Sequence, residues 1–176
     1  MSTITQKICL LGDFNVGKTS LVRRFIEDKF SDRYLSTVGV KVSRKSLNVT
    51  TDRQSHQLNL LIWDLEGNTK FKSITPNYLK GASGSIIVAD LSRSDTLDNL
   101  TQHLRLFFEV NPQGQATVAL NKADLIPPEK LAKLVENYQL PFPRVLGVYT
   151  TSAKTGDRIE QMFQELATVL VGADQP

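Results

Sequence analysis

A chain of 176 residues with 40% hydrophobic positions can bury one sizeable core but hardly two, so a single domain over 1–176 is expected. With 21 basic against 18 acidic residues the net charge is only +3 and no basic block stands out, which excludes a dedicated nucleic-acid binder. Cys9 is the one cysteine, so no internal disulfide can form and a zinc site would lack thiolates; it reads as a small core residue. No leader-like apolar stretch and no run near the roughly 18 residues of a membrane span is visible, so a cytoplasmic location is expected.

The first apolar run, "KICLLG", ends at Gly12 and reads as a strand. "KTSLVRRFIEDKF" then places Leu21, Val22, Phe25 and Ile26 at helical spacing. Between them lies "GDFNVGKTS", with the frame G-x-x-x-x-G-K-[ST]. Backbone N–H groups of such a loop aim at phosphate oxygens, and the positive end of the following helix reinforces them. Phe14, Asn15, Val16, Gly17, Lys18, Thr19 and Ser20 are therefore candidate phosphate contacts. Lys18 would reach the β- and γ-phosphates, and the Thr19 hydroxyl would hold Mg²⁺.

"GVKVSRKSLNV" and "HQLNLLIWD" read as two strands joined through "TTDRQS", a hairpin that adds one antiparallel edge strand. The in-out phase slips between Val42 and Leu47, which implies either a bulge or a misread strand. Lys41, Arg44 and Lys45 on that edge either deter aggregation or face an acidic partner. Thr37, in "YLSTVG", lies in a connection suited to closing over Mg²⁺ and a γ-phosphate. "WDLEG" supplies Asp64 at a strand end, an acidic residue able to hold Mg²⁺ through water, and Gly67, whose backbone N–H can approach a γ-phosphate closely.

"GSIIVADL" and "QATVALNKADL" are β-branched runs that flank the amphipathic "SDTLDNLTQHLRLFFEV". "PPEKLAKLVENYQL" opens a helix behind prolines, "RVLGVYTTSA" reads as a last strand and "DRIEQMFQELATVLV" as a last helix. Strands alternating with helices give an α/β fold: a six-stranded, mostly parallel sheet with one antiparallel edge strand and about five helices on both faces. Ligands of such sheets bind beyond the carboxyl ends of the strands, where the motifs fall. His56 and His103, far apart and without companion ligands, read as surface residues.

"NKAD" chooses the base. The Asp124 carboxylate can accept from guanine N1–H and its exocyclic amine, a donor pair that adenine lacks, while Asn121 tethers the loop and Lys122 lies along the base. In "TSAKTG", the Ala153 N–H could donate to guanine O6, with Ser152 and Lys154 shaping the loop. A P-loop kinase of nucleosides or small molecules is a rival reading, but it leaves "NKAD" unexplained.

"GDFNVGKTS", "STVG", "WDLEG", "NKADL" and "SAKTG", in this order and spacing, resemble the Ras superfamily of small GTPases, nearest the Rab type, across essentially the whole chain. "FKSITPNYLKGASGSIIVADLS" is similar to the Rab segment after the second switch. The resemblance implies the P-loop small GTPase fold, GTP and GDP as ligands with Mg²⁺, and two switch loops that GTP orders and hydrolysis releases. It implies that Phe30 stacks on guanine, that Tyr34 covers the phosphates, and that Thr37 and Gly67 sense the γ-phosphate. It also implies effectors, an exchange factor and a GTPase-activating protein as partners of a monomer.

Several positions depart from the family. Asn68 stands where the catalytic glutamine is usual, Glu66 where a small residue is, and Leu65 where Thr is common. With Lys18, Thr37 and Gly67, Asn68 completes the candidate catalytic set, and hydrolysis is expected to be slow. A non-hydrolysing GTP-binding module is the alternative that Glu66 and Asn68 suggest. Glu66 would add negative charge near the γ-phosphate unless its side chain turns away. Phe14, by analogy with relatives that carry a small residue there, either projects beside the γ-phosphate or packs over the loop against the second switch. Lys41 and Val42 replace the Rab-typical acidic and aromatic pair, which argues against carrying over Rab partners. The ending "VGADQP" has no lipidatable cysteine and no basic tail, so this chain is expected to carry no direct membrane anchor, either because the protein is naturally unanchored, as lipid-free prokaryotic Rab-like and Ras-like relatives are, or because its C-terminus has been trimmed.

Overall fold

The structure is a computed structural model, and it describes residues 2–33, 37–51, 54–67, 75–136 and 138–173. Strand β1 (Ser2–Gly12) leads through the glycine loop into helix α1 (Lys18–Glu27). A hairpin of β2 (Val40–Thr50) and β3 (Ser55–Leu65) follows, then α2 (Thr75–Leu79), β4 (Gly84–Asp90), α3 (Ser94–Asp98) and α4 (Leu100–Val110). The chain continues with β5 (Gln115–Asn121), a 3₁₀ turn (Ala123–Leu125), α5 (Pro128–Glu136), β6 (Val145–Thr150) and α6 (Ile159–Ala173).

The six strands lie in the order β2-β3-β1-β4-β5-β6, parallel except for β2, which runs antiparallel at the edge. This is the expected mostly parallel sheet. β1 starts earlier than its apolar run suggested: Ser2 pairs with His56 and Gln6 with Leu60, so backbone hydrogen bonds carry a polar segment that hydrophobicity alone did not mark. The helix expected after β4 is interrupted at Asn99, leaving six α-helices among the described residues.

Alternation along β1 divides the core between the two faces. Ile8 and Leu10 join α1 and α6, where the rings of Phe25 and Phe163 stack with centroids 3.9 Å apart. Cys9 and Leu11 point the other way, among Leu104 and Phe107 of α4. Every residue of β4 is buried, as a central strand covered on both faces requires. Truncating Phe25 or Phe163 to Ala should cost about 3–5 kcal/mol. Burial pushes the Cys9 thiol up to about 12, against the opposing charge of Lys7, so it stays protonated and inert, the core role read from the sequence.

Three local expectations are corrected. No bulge interrupts β2: its register with β3 runs unbroken from Val40↔Leu65 to Thr50↔Ser55. Val42 simply occupies the outward face, 51% exposed, and the apparent slip came from assuming that each valine of the strand points inward. Lys45 does not face solvent alone: its ammonium reaches the Phe25 carbonyl, lies 3.8 Å over the Phe25 ring and is 3.8 Å from Glu160. His56 is 1% exposed, because alternation in β3 puts it on the inward face with Leu58, Leu60 and Ile62.

Candidate functional site

β1 is where the chain's direction of growth across the sheet reverses, and a cavity of about 390 Å³ opens beyond the carboxyl ends of the strands there. It is lined by Phe14, Asn15, Gly17, Lys18, Thr19, Ser20, Phe30, Thr37, Gly67, Asn121, Lys122, Asp124, Ala153 and Lys154, together with Glu66 and Leu125. Val16, Asp64 and Ser152 are buried instead of lining it. Tyr34 and Asn68 lie outside the described residues.

At one end stands Lys18, whose ammonium donates to the carbonyls of Gly12 (2.9 Å) and Asp13 (2.8 Å). Burial pulls its pKa down to about 8 even though Asp64 and Asp13 pull the other way, so it is still a cation at neutral pH. Thr19 Oγ1 donates to Asp64 Oδ2 at 2.5 Å, and the Thr37 hydroxyl lies 2.6 Å from that of Thr19 and 3.3 Å from the same carboxylate oxygen. Burial holds the Asp64 carboxyl above the usual range despite those hydroxyls and Lys18. Its other oxygen, Oδ1, is buried with no hydrogen-bond partner among the described residues. Two hydroxyls and a carboxylate with an orphaned oxygen are hard donors converging on one point, a set that fits Mg²⁺.

Two glycines are required here by close approach. A Cβ on Gly67 would sit 2.6 Å from Lys18 Nζ and 2.7 Å from the Asp13 carbonyl, so only glycine lets this peptide lie against the loop. Gly17 has φ 99°, and a Cβ there would meet Asn121 Nδ2 at 2.4 Å.

At the other end Asn121 ties three segments together. Its Nδ2 donates to the Val16 carbonyl (3.0 Å), and its Oδ1 accepts from Thr151 Oγ1 and from Ala153 N–H, both at 3.3 Å. The Ala153 N–H expected for guanine O6 is thus held by a long bond that a better acceptor can outcompete. Ser152 Oγ donates to Asp124 Oδ1 at 2.7 Å and orients the carboxylate. Lys122 sits at φ 63° and donates to the carbonyl of Asn15 (3.0 Å), itself at φ 60°, while pairing with Asp90 at 2.8 Å. Left-handed backbone at two joined, non-glycine residues is strain held in place by its surroundings, a common mark of a working site. Phe14 borders the cavity with its side 47% exposed, and Phe30 lines it while packing on the α1/α6 core.

Sequence reasoning missed several supports. His103, expected at the surface, is half-buried with Nε2 2.8 Å from Asp13 Oδ1, and Asn99 Nδ2 donates to Asp13 Oδ2 at 2.7 Å. Burial alone would raise the Asp13 carboxyl, but the hydrogen bonds from Asn99 and His103 and the charges of His103 and Lys18 hold it below the usual carboxylate range. Arg93 donates to the Phe14 carbonyl at 2.8 Å, so residues before α3 and within α4 strap the near half of the loop. Arg24 of α1 donates to the carbonyls of Ala153 (2.8 Å) and Lys154 (2.5 Å), bracing the far end. Partners some 80 to 130 positions apart leave no local signal.

Residues 7–124 match the protein family described as Ras of Complex, Roc, domain of DAPkinase. Ras-related protein Rab-13 of Canis lupus familiaris is 32% identical over 164 residues, covering 92% of this chain and 77% of that protein. GTP-binding protein ypt5 of Schizosaccharomyces pombe is 31% identical over 169 residues (96% and 79%), and Ras-related protein SEC4 of Saccharomyces cerevisiae is 31% identical over 169 residues (93% and 74%). With the P-loop, its buried lysine and the Asn121 network on one cavity, the chain belongs to the Ras superfamily of small GTPases, with Rab-related proteins among its relatives.

Proposed function

We propose that this chain is a single-domain guanine-nucleotide switch over residues 1–176, one that binds GTP and GDP with Mg²⁺ and hydrolyses GTP slowly. GTP binding and hydrolysis are the general activity of its relatives. The observation that carries the finer reading is one cavity with an oxygen-rich, lysine-bearing end and a carboxylate-bearing end, the two joined by the Asn121 bond to the P-loop.

In this reading the loop amides from Phe14 to Ser20 and the Lys18 ammonium hold the phosphates. Thr19, Thr37 and Asp64 would hold Mg²⁺, which would supply neutralisation of the phosphate charge. Thr37 and Gly67 face the γ-phosphate. Asp124 reads the guanine edge, Ala153 donates to O6, Lys122 and Phe30 flank the ring, and Ser152 and Lys154 shape the loop. Tyr34 covers the phosphates.

Asn68 takes the place of the water-orienting glutamine. It is one methylene shorter, so its amide falls ~1.5 Å short, and a 1 Å misplacement costs on the order of a hundredfold. Single-turnover hydrolysis should therefore run at or below the order of 10⁻⁴ s⁻¹ of an unassisted Ras-type site. Asn68→Gln should raise it, and Asn68→Gln with Phe14→Ser should raise it further. A wild-type rate tenfold above that range, or no gain from either change, would overturn the assignment.

The partner classes that go with this function are effectors, an exchange factor and an activating protein acting on the two switch loops of a cytoplasmic monomer. Among the described residues, no helix is long and apolar enough to cross a membrane. Denaturing the purified protein and identifying the released nucleotide by chromatography tests the core of the proposal: guanine nucleotide is expected, and adenine nucleotide would overturn it.

A further inference from the structure

Where β2 and β3 run out toward the cavity, their ladder ends unusually. One step beyond the last registered pair, Val40 with Leu65, the Glu66 N–H donates to the Gly39 carbonyl at 2.9 Å. In an antiparallel pair of this kind the second bond runs from the Gly39 N–H to the Glu66 carbonyl. Here the Gly39 N–H donates instead to Glu66 Oε2, at 2.7 Å. The side chain has replaced its own main-chain carbonyl.

Two consequences follow from that exchange. The Glu66 carbonyl is released from the ladder, so the next peptide can leave the strand direction, and Gly67 lies against Lys18 and the Asp13 carbonyl. The carboxylate, on a residue that lines the cavity, is also committed to the Gly39 N–H. Thr37, two residues before Gly39, meanwhile has its hydroxyl 2.6 Å from that of Thr19. One side chain thus bridges the stretch that carries Thr37 to the one that carries Gly67.

We propose that Glu66 is a positioning residue for the third phosphate: by accepting the Gly39 N–H it latches the first switch stretch to the second and presets Thr37 and Gly67 for GTP. This rests on the reading of the cavity as a guanine-nucleotide site. A ligand that meets both Thr37 and Gly67 gains from a latch formed before it binds, because the ordering cost is already met. GDP, which meets neither through a third phosphate, gains little. The small residue usual at this position offers no acceptor, so the device belongs to this chain's own departure from the family.

The test compares wild type with Glu66→Gln, which keeps an acceptor oxygen without charge, and Glu66→Ala, which removes both. Dissociation of a fluorescent, nonhydrolysable GTP analogue should be about tenfold faster from Glu66→Ala, within the usual range of coupling between elements. GDP dissociation should be little changed, and Glu66→Gln should hold both nucleotides as wild type does. Exchange of the Gly39 amide, followed by NMR without nucleotide, should be slow in wild type and Glu66→Gln and fast in Glu66→Ala. An unchanged analogue lifetime in Glu66→Ala overturns the proposal, as does a Glu66→Gln protein that behaves like Glu66→Ala. Longer analogue retention by Glu66→Gln than by wild type would overturn it too, by assigning charge repulsion in place of a latch. If wild type retains no guanine nucleotide, the functional reading fails, and the Gly39 exchange still decides whether the latch exists.

Discussion

Among the described residues, the side chain of Asn121, 1% exposed at the end of the cavity proposed for the base, makes three hydrogen bonds, to Val16, Thr151 and Ala153, whereas Asp64, just as buried at the end proposed for the phosphates, takes two hydroxyls on one oxygen and none on the other. Both are buried polar side chains at the tips of parallel strands, so burial does not distinguish them. Satisfaction does. A satisfied network stands without a ligand and binds with little rearrangement, while a buried carboxylate with an empty lone pair costs the protein free energy that a cation can recover. In the proposed function the base end thus serves as a template and the phosphate end as a sensor.

Breaking the template should give the largest effects. Asp124→Asn exchanges an acceptor pair for a mixed donor and acceptor, so GDP affinity should fall by about a thousandfold or more. Affinity for the xanthine nucleotide, whose C2 carries an oxygen, should rise. Competition binding of GDP, XDP and ATP reads this, and wild-type protein that binds ATP as tightly as GTP would end the comparison.

Asn121→Ala strands three groups at once and should lower the thermal midpoint of the nucleotide-free protein by roughly 5–10 °C. Asp64→Asn should behave oppositely. Because the folded Asp64 pKa is raised, the native state holds its proton more tightly than the unfolded chain, and the site loses stability as pH rises from the unfolded value toward the folded one. At neutral pH the amide removes that burden, so the nucleotide-free midpoint should hold or rise. With GDP at about a hundred times its Kd, wild type should gain about 2.7 kcal/mol, and Mg²⁺ should add to this in wild type but not in Asp64→Asn.

The smallest effects should come from the strap behind the loop. Asp13 has a lowered folded pKa, so its contribution is complete above the unfolded carboxylate value of about 3.9 and is lost as pH falls through the lower folded value. Thermal midpoints taken across the acid range should therefore show a shallower decline in Asp13→Asn. His103→Leu deletes the hydrogen bond to Asp13 and should cost about 1 kcal/mol, a shift of roughly 2–4 °C. His103→Gln, which retains a donor, should recover most of it.

The legible parts of this molecule are those written in neighbouring residues. Alternation and helical spacing gave the strands and most helices, and the glycine loop, "NKAD" and "TSAKTG" are each short enough to read whole. Tertiary direction was not legible. Whether Val42 or Lys45 faces outward depends on what covers each face of β2, and the histidines looked alike until β3 buried His56 and α4 carried His103 to Asp13. Glu66 could be flagged as a departure, yet its acceptor role needed the position of Gly39, which only the hairpin supplies.

Gly17 makes the two ends of the cavity answer for each other's faults. A methyl group there would collide first with the amide nitrogen of Asn121, 2.4 Å away, before any ligand is present, on a backbone already at φ 99°. Gly17→Ala would therefore push the side chain that joins the loop to the Ala153 segment. If the proposed function holds, a lesion placed among the phosphate contacts would announce itself as careless discrimination between purines, and anyone mapping variants by the part of the nucleotide they impair would assign it to the wrong loop.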